Sequence, residues 1–200
     1  WVKVDDPDND TSWYDYANQE WANAVTGDCA TPGDYDTCSM WVWIPRYAYQ
    51  ITKCYHQDNE TCTNPITSNS AGEIDVKFLI DGTNTTSDST TIYKDNASNI
   101  HHILHPAFTF GDKELTGIWV AKFEMSGTIE PLALGSKPNV ESLREISIGG
   151  MFTATRKMET ITRYGWDTTE TADLNADGTF TSDTNNVDTH MMKNIEWGAV

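Results

Sequence analysis

"MWVWIPRYAYQI", residues 40–51, carries the strongest strand signal in the chain. Met40, Val42 and Ile44 alternate with Trp41 and Trp43, so an extended backbone would be apolar on both faces, the pattern of a strand covered on both sides. Branched and aromatic side chains pack well on a pleated surface, which favours strand over helix. Pro45 has no N–H to give to a ladder, so the middle of the run is expected at an edge or a bulge.

Working outward, "EIDVKFLIDG" (73–82) alternates, with Ile74, Val76, Phe78 and Ile80 on one face and Asp75 and Lys77 on the other, and it ends in a turn. From Gly82 to Asn99 the chain is rich in Thr, Ser, Asn and Asp and has little to bury, so an exposed loop is expected. "HPAFTFGDKELTGIWVAKFEMSG" (105–127) predicts an extended arm, a turn around Gly111 and Asp112, and a strand from Ile118 to Met125. In "SIGGMFTATRKM" (147–158), Ile148, Met151, Phe152 and Thr155 fall at helical spacing. Before the central run, "WVKV" and "SWYDYANQEWANAV" read as a strand, a turn and a second strand or short helix. The fold class expected is α+β and β-rich, with long loops and few helices.

The 200 residues carry a formal charge of −17, which opposes binding to nucleic acid and to anionic membrane surfaces, because both need a basic face. No signal peptide and no apolar run of membrane-spanning length is visible, so membrane contact by these residues is not expected. Eight tryptophans, eight tyrosines and six phenylalanines supply large apolar areas for a core.

Four cysteines form two local pairs around turn-rich loops, Cys29 with Cys38 in "CATPGDYDTC" and Cys54 with Cys62 in "CYHQDNETC". The spacings are too wide for a C-x-x-C zinc knuckle, so two short disulfides are the favoured reading and imply an oxidising, extracellular compartment. Other pairings stay open. Asn9, Asn59, Asn84 and Asn96 head N-x-S/T sequons, which matter only in a host that glycosylates.

"DLNADGTFTSD" (173–183) is the sharpest local motif. Asp173, Asn175 and Asp177 at alternate positions, followed by Gly178, match the first half of a calcium loop, with Thr179 placed to give a backbone carbonyl. The second half departs from the pattern: position twelve is Thr184, and Asp183 lies one place early. The competing reading is a loop of Asx-turns whose side chains bond their own backbone.

His101, His102 and His105 do not specify a metal site, since Pro106 argues against the helix that would align them. Trp41, Trp43, Tyr47 and Tyr49 are candidates for stacking on a sugar ligand, against the alternative that such a stripe is core. No catalytic residue is assigned: there is no G-x-S-x-G, no H-E-x-x-H and no phosphate loop.

Taken together, "WYDYANQEWANAV", "MWVWIPRYAYQI", "HPAFTFGDKELTGIWVAKFEMSG", "KPNVESLREISIGGMFTA" and "HMMKNIEWGAV" resemble surface-exposed proteins of gut-type Firmicutes described as carrying a prepilin-type N-terminus. The resemblance spans most of the chain apart from the cysteine loops and residues 83–99. It implies an extracellular, cell-surface location and a pilin-like or adhesive role, with a cell-surface or glycan ligand, or self-assembly into a filament. The order "GIWVAKFEMSG" then "NIEW" also resembles the formylglycine-generating-enzyme variety of the C-type-lectin-like fold. There, a W-x-x-K-x-E strand (here Trp119, Lys122, Glu124) precedes a helix opening N-x-E-W (here Asn194, Glu196, Trp197). That implies residues 1–110 as an aromatic, disulfide-looped region and 111–200 as the start of a C-type-lectin-like region incomplete at its C-terminus, or one continuous domain. The family's paired catalytic cysteines lie in a later portion, and none of the four cysteines here has a matching context, so enzyme activity is not carried over.

Calcium at residues 173–183 predicts that chelation lowers the melting temperature and opens the loop to protease, because clustered carboxylates repel without a cation. An unchanged melting curve and cleavage pattern would favour the Asx-turn reading.

Overall fold

Pro45 and Arg46 cut the central apolar run in two. A computed structural model of the chain describes residues 2–3, 22–31, 34–54, 71–80, 83–94, 101–110, 113–165 and 187–200. In it the run forms β3 (Met40–Pro45) and β4 (Tyr47–Lys53), which lie in different sheets. The cut falls at Arg46, whose N–H donates to the Thr116 carbonyl at 2.9 Å while its own carbonyl accepts from Leu79 N–H at 3.0 Å. With Pro45 unable to donate, the ladder cannot continue through this point.

Described residues within Trp21–Trp43 and Trp119–Lys193, with Val2–Lys3, make one compact unit, and those within Ile44–Ile118 and Asn194–Val200 make another. Among the described residues the chain passes between the units within β3, within β10 (Gly117–Ala121) and between Lys193 and Asn194. One four-stranded sheet runs β1 (Val2–Lys3), β2 (Asn23–Val25), β3, β10. β2 pairs antiparallel with β3, Ala24 opposite Trp41. The first unit also holds a two-stranded pair, β11 (Met125–Thr128) with β12 (Ala133–Ser136), and helix α1 (Ile148–Lys157). Its core gathers Leu134, Ala154, Met158 and Tyr164, with Trp41, Met125 and Leu143 packed against them.

In the second unit a four-stranded sheet runs β5 (Glu73–Phe78), β4, β7 (His102–Leu104), β6 (Ile92–Tyr93). A small pair, β8 (Thr109–Phe110) with β9 (Lys113–Glu114), and a short helix α2 (Asn194–Trp197) complete its regular elements. Tyr47, Ala107, Phe108 and Ala199 form its core, with Val76 and Phe78 of β5 packed against them. The protein is therefore β-rich with two short helices among the described residues.

Several elements differ in detail from expectation. The strand expected from Ile118 to Met125 stops at Ala121: Lys122 N–H still reaches the Met40 carbonyl of β3, but Phe123 N–H turns to Ser136 Oγ. The arm "HPAFTF" bends into a 3-10 turn at Pro106–Phe108, with proline in the first turn and the His105 side chain as its cap. Ile74 and Ile80 of the predicted apolar face are 63% and 45% exposed, whereas Val76 and Phe78 between them pack on the core. Helix α1 forms where periodicity put it, capped by Ser147 Oγ accepting from Gly150 N–H. Its buried residues are Ala154 and Thr155, with the buried Met158 just after its end, whereas Ile148 is 80% exposed.

Phe108, with no exposed surface, anchors the second core. Phe108→Ala is expected to destabilise by about 3–5 kcal/mol in denaturant unfolding. A loss below about 1 kcal/mol would mean the cluster is not a core.

Candidate functional site

The densest set of chemistry-bearing groups in the first unit is built around the Cys29–Cys38 disulfide. The bridge closes a nine-residue separation between β2 and β3 and thereby tethers the residues that flank it, Asp28 and Ser39. Asp28 Oδ1 accepts from Thr26 Oγ1 at 2.8 Å and from Ser39 N–H at 3.0 Å, and Oδ2 accepts from Ser39 Oγ at 2.6 Å. Ser39 Oγ in turn accepts from Ser136 N–H at 3.1 Å, which fixes β12 to the loop. Lys137 Nζ donates to the Asp28 carbonyl at 3.0 Å and stands 3.7 Å from Oδ2. A Cβ at Gly135 would lie 2.9 Å from both Ser39 Oγ and Lys137 Cε, so the close approach needs glycine.

Burial pushes the Asp28 pKa up, but bonds from Ser39 and Thr26 and the Lys137 charge outweigh it, leaving the carboxyl below its ordinary 3.8. In this serine, aspartate and lysine set, Ser39 and Ser136 have no exposed surface and the Asp28 side chain is buried, whereas Lys137 is partly exposed. Chemically it is a clamp: a carboxylate with its lone pairs filled by donors from two segments.

A second charged group ties residues 187–190 to α1. Arg156 Nη1 lies between Glu159 Oε1, at 2.8 Å, and the Asp188 carboxylate. Thr189 N–H donates to Glu159 Oε1 at 2.9 Å and Thr189 Oγ1 to the Thr155 carbonyl at 2.6 Å. His190 Nδ1 is 3.1 Å from Asp188 Oδ1. Burial raises the Asp188 pKa, while His190, Arg156 and Lys193 together bring it below the ordinary value.

In the second unit, Arg46 is 2% exposed, and its Nη2 donates to Asn84 Oδ1 and Glu114 Oε2, both at 2.8 Å. Its Nε is buried with no hydrogen-bond partner among the described residues. Lys94 Nζ also reaches Glu114, at 2.9 Å; its hydrogen bond leads in holding the Glu114 pKa down, and the Arg46 charge acts in the same direction.

The residues singled out from sequence are dispersed. Trp41 packs on the first core and its indole N–H donates to Thr26 Oγ1 at 3.3 Å, and Trp43 meets Trp119 at 5.3 Å between ring centroids. Tyr47 is buried in the second core, and Tyr49 is half-buried beside it. The two tryptophans thus belong to one unit and the two tyrosines to the other. Cys54 is buried and disulfide-bonded, whereas Cys62 lies outside the described residues. So do Asp173, Asn175, Asp177, Thr179 and Asp183. Among the described residues no group of three His, Cys, Asp or Glu is placed to hold a metal ion. His101 stacks on Tyr93, His102 pairs with Asp75 at 2.8 Å, and His105 caps the 106–108 turn.

Sequence reasoning missed Asp28, Ser39 and Arg46. A local signal existed for the first two, since residues adjacent to a bridged pair are held close in space. Compared with protein-family models, curated proteins and solved structures, the chain matches none of them.

Asp28→Ala is expected to cost about 3 kcal/mol, because it leaves buried donors on Ser39 and Thr26 unpaired. The folded pKa is lowered, so this stabilisation is complete above the ordinary value of 3.8 and is lost as pH falls through the lower folded value. Unfolding free energies of wild type and Asp28→Asn should therefore differ by a constant amount at neutral pH and converge in acid. A gap that persists unchanged in acid would contradict the clamp.

Proposed function

We propose that this chain is a non-catalytic module of an extracellular bacterial surface protein, pilin-like or adhesive, that binds a cell-surface or glycan ligand. The observation that carries the reading is the Cys29–Cys38 disulfide, since such bridges persist in oxidising compartments and this one organises the Asp28 clamp. A charge of −17 suits a solvated extracellular surface. The finer fold reading, C-type-lectin-like, draws on the "GIWVAKFEMSG" and "NIEW" resemblance and on a β-rich architecture. Calcium at residues 173–183 would serve to order a loop. The third reading, a formylglycine-generating-enzyme-like enzyme, draws on the same resemblance.

A second reading, subunit of an extracellular filament, is favoured by the exposed apolar side chains of Ile195, Trp197 and Val200, 45%, 74% and 62% exposed, because such surface often marks an interaction site.

Binding of labelled protein to arrayed glycans and matrix proteins, with calcium present, tests the first reading alongside light scattering. Saturable binding by a monomer is expected. Absence of binding together with filaments in electron micrographs would replace it with the second reading.

A further inference from the structure

One hydrogen-bonded arrangement in the second unit joins segments far apart in the chain. Tyr47 Oη donates to the Ala199 carbonyl at 3.1 Å in a buried setting. Ala199 shares a core with Phe108, and α2 packs on the Pro106–Phe108 turn. That turn is capped by His105, whose Nδ1 accepts from Ala107 N–H at 3.3 Å. The imidazole is enclosed by the rings of Tyr47, Tyr49 and Phe108, at 5.2, 5.4 and 6.1 Å between centroids. An accepting Nδ1 requires the neutral ring with its proton on Nε2, an assignment made from the hydrogen bond itself.

We propose that His105 is an acid-sensitive latch for residues 194–200. A proton taken from solvent onto Nδ1 converts the cap's acceptor into a donor facing the Ala107 N–H. The turn loses its cap, and the C-terminal turn that packs on it is released.

The groups around the imidazole allow this switch. From β4 come the phenols of Tyr47 and Tyr49, and Tyr47 stays protonated because burial, with Tyr49 beside it, pushes its pKa up to about 12. Phe108 on the turn and Ile44, Val76, Phe78 and Ile118 around the core bring no charge. On α2 the ionisable group is the buried Glu196. Burial holds the His105 pKa below its ordinary 6.5, so the docked arrangement favours the neutral ring. The contribution to docking is therefore complete above pH 6.5 and is lost as pH falls through the lower folded value.

The test is amide hydrogen exchange with NMR titration of the full chain. The reporters are Gly198 and Ala199 N–H, which donate to the Asn194 and Glu196 carbonyls. Their protection, corrected for intrinsic exchange, should fall severalfold with acid, at the same midpoint as the His105 ring resonances. Ser136 N–H, in the other unit, should keep its protection over that range. His105→Asn, which supplies a non-titrating cap acceptor, should abolish the pH dependence. Tyr47→Phe should lower protection at 198 and 199 at every pH and leave the midpoint in place. Protection at 198 and 199 that ignores pH, follows a midpoint other than that of His105, falls together with Ser136, or keeps its pH dependence in His105→Asn would overturn the proposal.

Discussion

A peptide nitrogen without a proton, that of Pro45, is the constraint from which the rest of the second unit follows. It ends β3, and Arg46 then turns both its backbone groups to other segments, the N–H to Thr116 and the carbonyl to Leu79. A guanidinium 2% exposed follows the backbone inward and holds Glu114 of β9 and Asn84 of the preceding loop. Desolvating an arginine costs several kcal/mol, and those two acceptors offset part of that cost. Among the described residues the Arg46 Nε has no hydrogen-bond partner, and an unmade bond there adds to the cost of burying the guanidinium.

Buried polar hubs recur where apolar clusters are small. Among the described residues, the core cluster of each unit gathers four buried apolar residues. In the first unit Asp28 fixes β12 against the disulfide loop, and Arg156 with Glu159 fixes residues 187–190 against α1. A hydrophobic contact tolerates sliding, whereas a carboxylate filled by three donors tolerates little. These hubs therefore set register as much as they set stability.

Extended backbone across 40–51, the strand at 73–78 and the helix at 148–157 were legible because their periodicity is local and strong, whereas the division of 40–51 into two strands of different sheets was not. What local pattern cannot give is which distant backbone group meets a chain break. The cut at Arg46 depends on Thr116 and Leu79, and the end of β10 on Ser136, all remote in sequence. Spacing marked Ile148, Met151, Phe152 and Thr155; of these Thr155 is buried and Ile148 exposed, while Ala154 packs with the remote Leu134 and Tyr164. Of the candidate site residues, the pair Cys29 and Cys38 was legible from spacing. The aromatic set mixed residues of two units because a twelve-residue run was taken as one strand.

The most direct test of the account is a double-mutant cycle on Arg46 and Glu114, using Arg46→Met and Glu114→Gln and reading unfolding free energies. A buried guanidinium that depends on this carboxylate predicts a coupling of about 2 kcal/mol, with the Arg46→Met loss much reduced once Glu114 is gone. A coupling near zero, with the two losses simply additive, would contradict the claim that the Pro45–Arg46 break is held by this pair.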